Sequence, residues 1–405
     1  MENTTLLLCL LLPPLLTALV TLSYPLHTAF FFWRQRRRLR AREGRPAFVS
    51  LIVPMKGVDD ELPANVISWT QQCMGVPFEI LVCVEREDDP AVPMIRALMK
   101  GRAAAGDMEP RMELLITGRS TASLGKMHNL IHGIEHACGD WLVFVDSDAY
   151  FPDSHYLRRF MVPLGNPGVG LVSCYPAYRG ARDVGAALIG GAINNDFVGF
   201  MGLLGTWQRR FAVAVGTTMA MRRDTLEVLG GLDSLRQQLL MDVSLARRVR
   251  DVGYRVHLCE EPVVVYQRHS STRAALQKAD RWHVGMRRML SAPLYGLYLL
   301  LRLSLPLALL SVALRPCATS VGVVLALVVV RWVAVCSLNL RYIRDPCLPW
   351  LLWMVPVTDL LMGLSAMSAL LRHKVSWRGQ IYRIGKGGRA HLEREVALVK
   401  GASGA

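Results

Sequence analysis

The sequence lacks the cysteine patterns of a disulfide-stabilised or zinc-binding protein. Its nine cysteines occur singly, with no Cys-x-x-Cys pair and no zinc-ligand spacing, at positions 9, 73, 83, 138, 174, 259, 317, 336 and 347. Isolated thiols are typical of packing residues in a reducing compartment. No internal repeat, low-complexity segment or RNA- or DNA-binding motif is present either. These absences argue against nucleic acid as a partner.

Charge is also absent from long stretches of the chain. Residues 5–33 contain no Asp, Glu, Lys or Arg, and this run exceeds the roughly 20 apolar residues that cross a bilayer. A cleaved signal peptide is the alternative. It is disfavoured because the run is too long, the basic flank follows it and no small-residue cleavage site is present. We therefore predict an N-terminal membrane span.

Positive charge predominates, with a formal net charge of +15, and much of it lies beside apolar segments. The cluster at 34–42, RQRRRLRAR, directly follows the first span. Basic flanks stay preferentially on the cytoplasmic side, and anionic lipid headgroups are their nearest partner. The region after the first span is therefore predicted to face the cytosol, in an integral membrane protein.

Three more apolar segments follow, at 293–314, 319–340 and 348–371, and each is long enough to span. If all three cross, the basic tail ends on the side opposite the middle region, against the positive-inside preference. The first segment contains Arg302 and Pro306. A charge at the bilayer centre is costly, so we predict that this segment is interfacial or re-entrant.

Between the apolar ends, short apolar strands alternate with helices of 10 to 15 residues. This pattern predicts an α/β fold with a largely parallel sheet covered on both faces. Such sheets bind ligands at the carboxyl ends of their strands. Residues 183–235 are glycine-rich and predicted to be more irregular, with a weakly amphipathic helix at 186–207 that could lie against a membrane surface.

Two carboxylates, Asp146 and Asp148, follow the apolar strand WLVFV. Alternation can turn both to one side, where they could bind Mg or Mn, and the divalent cation could grip a diphosphate. A solvated turn is the alternative, because Asp-Ser-Asp is a common turn composition. The pair is a hypothesis for a metal site until its structural context agrees.

Other polar residues occur at positions that could face the same ligand. Asp89 follows the second strand, where it could read a ribose or base or cap the next helix. Asp242 opens a helix and could accept a proton from an attacking hydroxyl, or act only as a cap. Lys278, Arg281 and Trp282 combine cations for phosphate with a ring for stacking, or form a plain surface helix.

These blocks resemble the membrane-bound inverting glycosyltransferases of the GT-A fold, and among them the ceramide glucosyltransferases. The likeness runs through SLIVPMKGVDDEL, ILVCVEREDDPA, GKMHNL, VDSDAY, VGLVSCYPAYRG, TTMAMRRDTLEVLGGL, LLMDVSLARRVRDVGYRV and VSWRGQIYRIGKGG in family order. The resemblance implies a Rossmann-like GT-A domain between transmembrane helices. The implied organisation is 1–45, N-terminal transmembrane helix and basic flank; 46–275, glycosyltransferase domain; 276–292, interfacial helix with the KxxRW motif; 293–372, C-terminal membrane segments; 373–405, basic cytosolic tail.

The same resemblance implies a role for each motif residue. The catalytic base is Asp242, the metal site is Asp146 with Asp148, and the nucleotide-sugar site consists of Asp89, Lys126, Asp146, Lys278, Arg281 and Trp282. This chain departs from the family at Lys278, where the motif has Gln or Arg, and lysine lacks their planar group. It also has Met241 where the family commonly has a carboxylate, and no histidine in 181–220, where the animal enzymes have a functional one.

The implied activity is transfer of a hexose, glucose first, from a UDP-sugar to a membrane lipid, ceramide first, with inversion. Alternatives are a hopanoid glycosyltransferase, a processive polysaccharide synthase and a non-catalytic membrane scaffold. The synthases carry more spans and a longer catalytic insert. A scaffold is disfavoured because the acidic motifs are intact and agree with the sheet position where ligands bind.

Overall fold

The computed structural model describes residues 2–39, 44–120, 124–206 and 213–395. The chain forms two compact units. The helical unit consists of Met1–Phe31, Ala177–Thr206 and Gln267–Ala405, and the sheet unit of Phe32–Pro176 and Trp207–Tyr266. Three parts of the predicted segments lie outside the described residues: 40–43 of the basic flank, Trp207 of the glycine-rich helix and 396–405 of the tail.

Strands and helices alternate through the sheet unit. The strands are β1 (Val49–Met55), β2 (Phe78–Val84), β3 (Arg111–Ile116), β4 (Trp141–Val145), β5 (Ala149–Tyr150), β6 (Val169–Cys174), β7 (Pro176–Arg179), β8 (Thr218–Arg222), β9 (Arg255–Leu258), β10 (Val263–Tyr266), β11 (Lys374–Trp377), β12 (Gln380–Ile384) and β13 (Ala390–Glu395). The helices are α1 (Glu2–Arg38), α2 (Leu62–Thr70), α3 (Ala91–Ala104), α4 (Gly125–His136), α5 (Tyr156–Met161), α6 (Val184–Asn194), α7 (Phe197–Thr206), α8 (Arg223–Val228), α9 (Met241–Asp251), α10 (Thr272–Met289), α11 (Ala292–Arg302), α12 (Ser304–Leu314), α13 (Ala318–Leu338), α14 (Leu348–Leu351) and α15 (Met354–Ser368).

The main sheet has the strand order β3-β2-β1-β4-β8-β6-β9. β1 pairs in parallel with both β2 and β4, so that Val49 lies opposite Phe78 on one side and Trp141 on the other. Every residue of β1, β2 and β4 is buried, as expected for strands covered on both faces. The predicted α/β class with a largely parallel sheet is confirmed, and β1, β2 and β4 end at one edge.

The sequence analysis missed one strand of this sheet. β8 lies in the region predicted to be irregular, and it pairs antiparallel with both β4 and β6. Its residues TMAMR are largely buried, but glycines and polar residues precede and follow them. A strand of five residues in such surroundings carries too little periodicity to be recognised.

The helical unit contains most of the apolar helices. Three helical segments are long and apolar enough to cross a membrane, within the described part of the chain: Leu10–Arg38, Val184–Thr206 and Ala318–Ile343. The second of these, predicted to lie on a membrane surface, consists of α6 and α7 with a break at Asn195 and Asp196. The chain is thus similar in apolar content to a membrane protein at both ends.

Two other predicted segments are interrupted. α11 and α12 meet at Leu303 with a bend of 58°, which makes them a broken span or a re-entrant loop. The last segment divides into α14 and α15, and α15 has 15 residues, fewer than the roughly 20 that span a bilayer. The predicted tail also differs from expectation, because β11, β12 and β13 form an antiparallel sheet.

Four ionised side chains are paired among these helices. Asp196 accepts hydrogen bonds from Arg302 and from Arg331, the latter at 2.6 Å. Arg331 also makes a two-bond contact with Asp359, at 2.7 and 2.8 Å. Two arginines and two aspartates therefore form one network whose formal charges cancel. Such pairing is what allows charged groups to persist in an apolar helix bundle.

Helix α4 packs closely on the main sheet at Gly133. A Cβ atom there would lie 2.3 Å from Ile52 Cγ2 and 2.8 Å from Cys83 Sγ. We expect Gly133→Ala to lower the free energy of unfolding by about 1 to 3 kcal/mol, because overpacking forces shifts in a close-packed interior. Gly101→Ala in α3 is the matched control, since no atom lies within 4 Å of its Cβ position.

Thermal denaturation of the purified protein compares the two variants. Gly101→Ala should stabilise by about 0.5 to 1 kcal/mol, the usual gain of alanine over glycine in a helix. Equal melting temperatures for Gly133→Ala and the unmodified protein would contradict the close approach of α4 to β1 and β2.

Candidate active site

The chain leaves β4 at Val145 in a tight turn that carries two carboxylates. The Ala149 N–H donates to the Asp146 carbonyl at 3.0 Å, which places Ser147 and Asp148 at the central positions of the turn. Ser147 is buried, whereas Asp146 and Asp148 on either side are only partly buried. The turn and the carboxylate pair therefore coexist, with polar groups exposed at the carboxyl end of a central strand.

Hydrogen bonds join this turn to the loops after β1 and β2. Ser147 Oγ donates to Asp59 Oδ2 at 2.5 Å. Two residues earlier, the Gly57 N–H donates to both oxygens of Asp89 at 3.0 and 3.1 Å, and Asp89 Oδ1 also accepts from the Ala91 N–H at 2.9 Å. Gly57 has a φ of +72°, which glycine adopts without strain. Asp89 therefore holds the β1 loop and the start of α3.

Lys126 enters the site from the first turn of α4. Its ammonium forms an ion pair with the Asp146 carboxylate and donates to the Gly216 carbonyl at 3.3 Å. Both side chains of the pair are partly buried, so solvent weakens their attraction only in part. Lys126 thus neutralises one acidic residue of the β4 turn and binds the loop that leads into β8.

Asp242 lies on the other side of that loop, in the first turn of α9. Its Oδ2 accepts from the Gly216 N–H and its Oδ1 from the Val243 N–H, each at 2.9 Å. Burial raises the pKa of the Asp242 carboxyl, and nearby Asp146 raises it further. The Val243 N–H, Lys126 and the Gly216 N–H act in the opposite direction on this pKa. The net pKa is raised, so that Asp242 binds a proton more readily than an ordinary aspartate.

The Gly216 peptide therefore connects the two acidic centres. Its N–H donates to Asp242, and its carbonyl accepts from the Lys126 ammonium that pairs with Asp146. The next residue extends the link, because the Asp146 N–H donates to the Thr217 carbonyl at 2.9 Å. Asp146, Lys126 and Asp242 are thus brought together, although about a hundred residues separate Asp146 from Asp242.

A further carboxylate lies at the start of α4. A Cβ atom at Gly125 would lie 2.0 Å from Glu85 Oε1, so the Glu85 side chain at the end of β2 fills the space beside this glycine. No side chain caps the N-terminus of α4, and the exposed N–H groups of a helix start favour a negative charge. Glu85 is thus another acidic group at the edge where β1, β2 and β4 end.

The carboxylates fit part of a divalent-metal site. Within the described residues, no three His, Cys, Asp or Glu side chains are arranged to hold a metal by themselves. Magnesium is commonly bound by one or two carboxylates and completed by substrate phosphates and water. Asp146 and Asp148, on one tight turn and partly exposed, match that donor set. The residues present fit a metal completed by a nucleotide rather than a preformed protein cage.

The three motif residues predicted from KxxRW belong to the helical unit. Lys278 Nζ lies 3.0 Å from Tyr178 Oη and stands over the rings of Tyr178 and Trp282, at 4.9 and 5.9 Å from their centroids. Arg281 Cζ lies 4.9 Å from the Trp377 ring centroid. Cations over aromatic faces are attracted by the ring electrons. The motif is therefore set among aromatic residues, one of which comes from the C-terminal sheet.

Sequence reasoning missed several groups at the site. Gly216 acts through its peptide, which no side-chain pattern reveals. Asp59 lies in the block VDDEL after β1, and its position at a strand end was a usable signal. Glu85 also directly follows a strand, in the run EREDD. Acidic residues at every strand end deserve the same attention as the Asp-Ser-Asp pair.

A mostly parallel sheet with acidic side chains gathered at the ends of its strands is the arrangement of the GT-A glycosyltransferases. The chain belongs to glycosyl transferase family 21, whose sequence profile matches residues 14–390. The match therefore includes parts of both units.

Curated relatives agree at low identity. The chain is 24% identical to ceramide glucosyltransferase 3 of Caenorhabditis elegans over 58% of this chain and 49% of that protein. It is 21% identical to ceramide glucosyltransferase 1 of the same organism, over 65% and 55%. It is 26% identical to the O-antigen biosynthesis protein RfbC of Myxococcus xanthus, over 58% and 18%. The chain thus spans about half the length of the two ceramide glucosyltransferases and less of RfbC.

A solved structure has the same fold. The mannosyltransferase PcManGT from Pyrobaculum calidifontis, in complex with GDP-Man and Mn²⁺, matches with a TM-score of 0.50 and 17% identity. The match covers 88% of this chain and 99% of that one. The likeness supports the GT-A architecture derived from the strand order.

The electrostatics of the site can be tested at Lys126. Because this ammonium lowers the pKa of Asp242, Lys126→Met should raise that pKa further. The protonated carboxyl band of Asp242 can be followed by infrared spectroscopy as the difference between each protein and its Asp242→Asn counterpart. Lys100→Met, on the exposed end of α3, is the control and should leave the titration unchanged. A titration of Asp242 that does not move in Lys126→Met would contradict the described proximity.

Proposed function

We propose that this protein transfers a hexose, glucose first, from a UDP-sugar to a hydroxyl of a membrane lipid, ceramide first, with inversion at the anomeric carbon. The observation that carries the proposal is the link through Gly216, which joins the base candidate Asp242 to the ion pair of Lys126 and Asp146. One group can thus accept a proton beside others that hold a diphosphate. Membership of family 21 and the two ceramide glucosyltransferase relatives support this choice.

Asp242 is proposed as the general base. Burial raises the pKa of its carboxyl, and a base is most effective when its pKa approaches the working pH. The N–H groups of Gly216 and Val243 orient the carboxylate, leaving lone pairs for the acceptor hydroxyl. Asp242 removes the proton of that hydroxyl as its oxygen attacks the sugar from the face opposite UDP, and the sugar–phosphate bond breaks.

Asp146 and Asp148 are proposed to hold Mg or Mn. A divalent cation bound there with the donor diphosphate neutralises the negative charge of the leaving UDP. The GT-A relative PcManGT, described with GDP-Man and Mn²⁺, is consistent with this proposal. Lys126 contributes a positive charge from α4 that is already oriented by Asp146 and the Gly216 carbonyl.

The remaining motif residues are proposed to bind the donor. Asp89 would contact the uridine, since its carboxylate lies at the nucleotide edge and retains lone pairs beside its backbone bonds. Lys278, Arg281 and Trp282 would bind the diphosphate and the sugar. The apolar helices and the basic residues after α1 support an integral membrane protein with its catalytic domain at the cytosolic surface.

The activity and its metal requirement can be tested together. Membranes containing the protein should convert UDP-[¹⁴C]glucose and ceramide to labelled glucosylceramide when Mg²⁺ or Mn²⁺ is present. Asp146→Ala and Asp148→Ala should each reduce transfer by at least about a hundredfold, because the leaving diphosphate loses its counter-charge. Asp107→Ala, at an exposed position after α3, should remain active.

Two outcomes would alter this proposal. Full activity in EDTA would remove the metal from the reaction. Labelled product from another UDP-hexose, or from diacylglycerol or a hopanoid but not ceramide, would replace the proposed substrates. The O-antigen relative makes a different acceptor a specific alternative.

The role of Asp242 predicts a defined pH dependence. Asp242→Asn should lower kcat by about 10² to 10⁴, the usual contribution of a general base, while UDP-glucose binding is retained. Because its pKa is raised, the transfer rate of the unmodified protein should fall with decreasing pH through a pKa above the ordinary aspartate value of about 4. Asp251→Asn, at the other end of α9, is the control. Loss of UDP-glucose binding in Asp242→Asn would instead assign Asp242 to the donor site.

A further inference from the structure

The helical unit contains a cavity with about 570 Å³ of empty space, within the size range of small-molecule sites. Its walls come from α6, the end of α13, the loop after it and α15. Small residues of α6, Ala186, Ala187, Gly190 and Gly191, leave the space open. These elements include parts of two helical segments that are apolar enough to cross a membrane.

One wall of the cavity is rigidly hydrogen-bonded. The Asn194 side chain accepts from the Tyr178 N–H at 3.0 Å and donates to the Tyr178 carbonyl at 2.8 Å. Asn339 makes the equivalent pair of bonds with the backbone of Asp345, at 2.9 and 3.1 Å. Asp345 Oδ2 in turn accepts from Asn194 at 3.3 Å. These polar groups are occupied with each other and fix the shape of the wall.

Two other polar groups of the lining have unused hydrogen-bonding capacity. Among the described residues, Thr358 Oγ1 and Arg179 Nε are buried and have no hydrogen-bond partner. Thr358 is only 2% exposed, and its hydroxyl faces Gly191, whose Cβ position lies 3.0 Å from Oγ1. A buried polar group without a partner costs about 1 to 3 kcal/mol. A ligand with matching polar atoms would remove that cost.

We propose that this cavity binds the polar head of a lipid that carries both a hydroxyl and an amide. The choice of lipid rests on the proposed function, whose acceptor has this chemistry. The amide oxygen accepts from Arg179 Nε–H, and a ligand N–H or O–H donates to Thr358 Oγ1, which can also donate in return. Thr358 is thus a specificity-determining residue for the lipid.

The charge and location of the cavity favour a neutral lipid. Among the described lining residues, Arg179 and Asp345 supply one positive and one negative charge, so a phosphate head has no excess of cations to bind. The apolar lining of α14 and α15, with Leu348, Leu351 and Met354, can contact the first carbons of an acyl chain. The space holds a head group and not two complete chains.

The decisive variant is Thr358→Val, which removes the hydroxyl and keeps the shape. Binding of N-hexanoylsphingosine to the purified full chain in detergent is measured by its effect on the melting temperature, without UDP-sugar. Loss of one hydrogen bond should weaken this binding about five- to tenfold, and Thr358→Ser should restore it. Without lipid, Thr358→Val should melt at the same temperature as the unmodified protein or higher, because the lost hydroxyl has no protein partner.

Thr28→Val is the matched control, since the buried Thr28 hydroxyl donates to the Tyr24 carbonyl at 2.7 Å and lies outside the cavity lining. It should lower the melting temperature and leave lipid affinity unchanged. Unchanged lipid affinity in Thr358→Val would overturn the proposal, and so would a lower melting temperature without lipid. Equal binding of dihexanoylglycerol, which has a hydroxyl but no amide, would overturn the amide requirement.

The binding measurement separates this inference from the proposed function. If the lipid binds in a Thr358-dependent manner but no sugar is transferred to it, the cavity is supported and the proposed acceptor is wrong. If sugar is transferred to ceramide with the same KM in Thr358→Val, the proposed function stands and the cavity is not the acceptor site.

Discussion

Mutual repulsion of carboxylates is the constraint on which the candidate site depends. Asp146 and Asp242 are close enough for each to disfavour the charge of the other, and burial adds to that cost. The Gly216 peptide and the Lys126 ammonium lie between them and offer a donor to each. The same groups that stabilise the empty site are those that a nucleotide diphosphate would engage. Substrate binding and the relief of repulsion therefore involve one set of contacts.

The sequence predicted the sheet and the location of its acidic residues because both follow from short-range patterns. Buried strands such as WLVFV are continuous apolar runs, and parallel strands necessarily end at one edge. Asp146, Asp148 and Asp89 could be placed there for that reason. The contacts of Asp242 could not, because they depend on a peptide far away in the chain. Local pattern determines position along an element, and only the folded chain determines which elements meet.

Elements were missed where a pattern was short or masked by charge. β8 has five residues between glycines. The strands after Lys374 alternate apolar residues with many arginines and glutamates, so the charge suggested a tail although Val375, Tyr382 and Ile384 are buried. That sheet supplies Trp377, the ring beneath Arg281 of the KxxRW motif. Conversely, the apolar character of 348–371 concealed a break, because hydropathy measures composition and not helix continuity.

The network of Asp196, Arg302, Arg331 and Asp359 has a consequence for biogenesis. Asp196 is synthesised about a hundred residues before the first of its arginine partners, and a solitary carboxylate in lipid costs about 3 kcal/mol on translocon scales. The early helices consequently gain from remaining at the translocon or the bilayer surface until the arginines emerge. Charge neutrality in the finished bundle thus sets an order of assembly, in which the last helices release the first ones into the hydrocarbon.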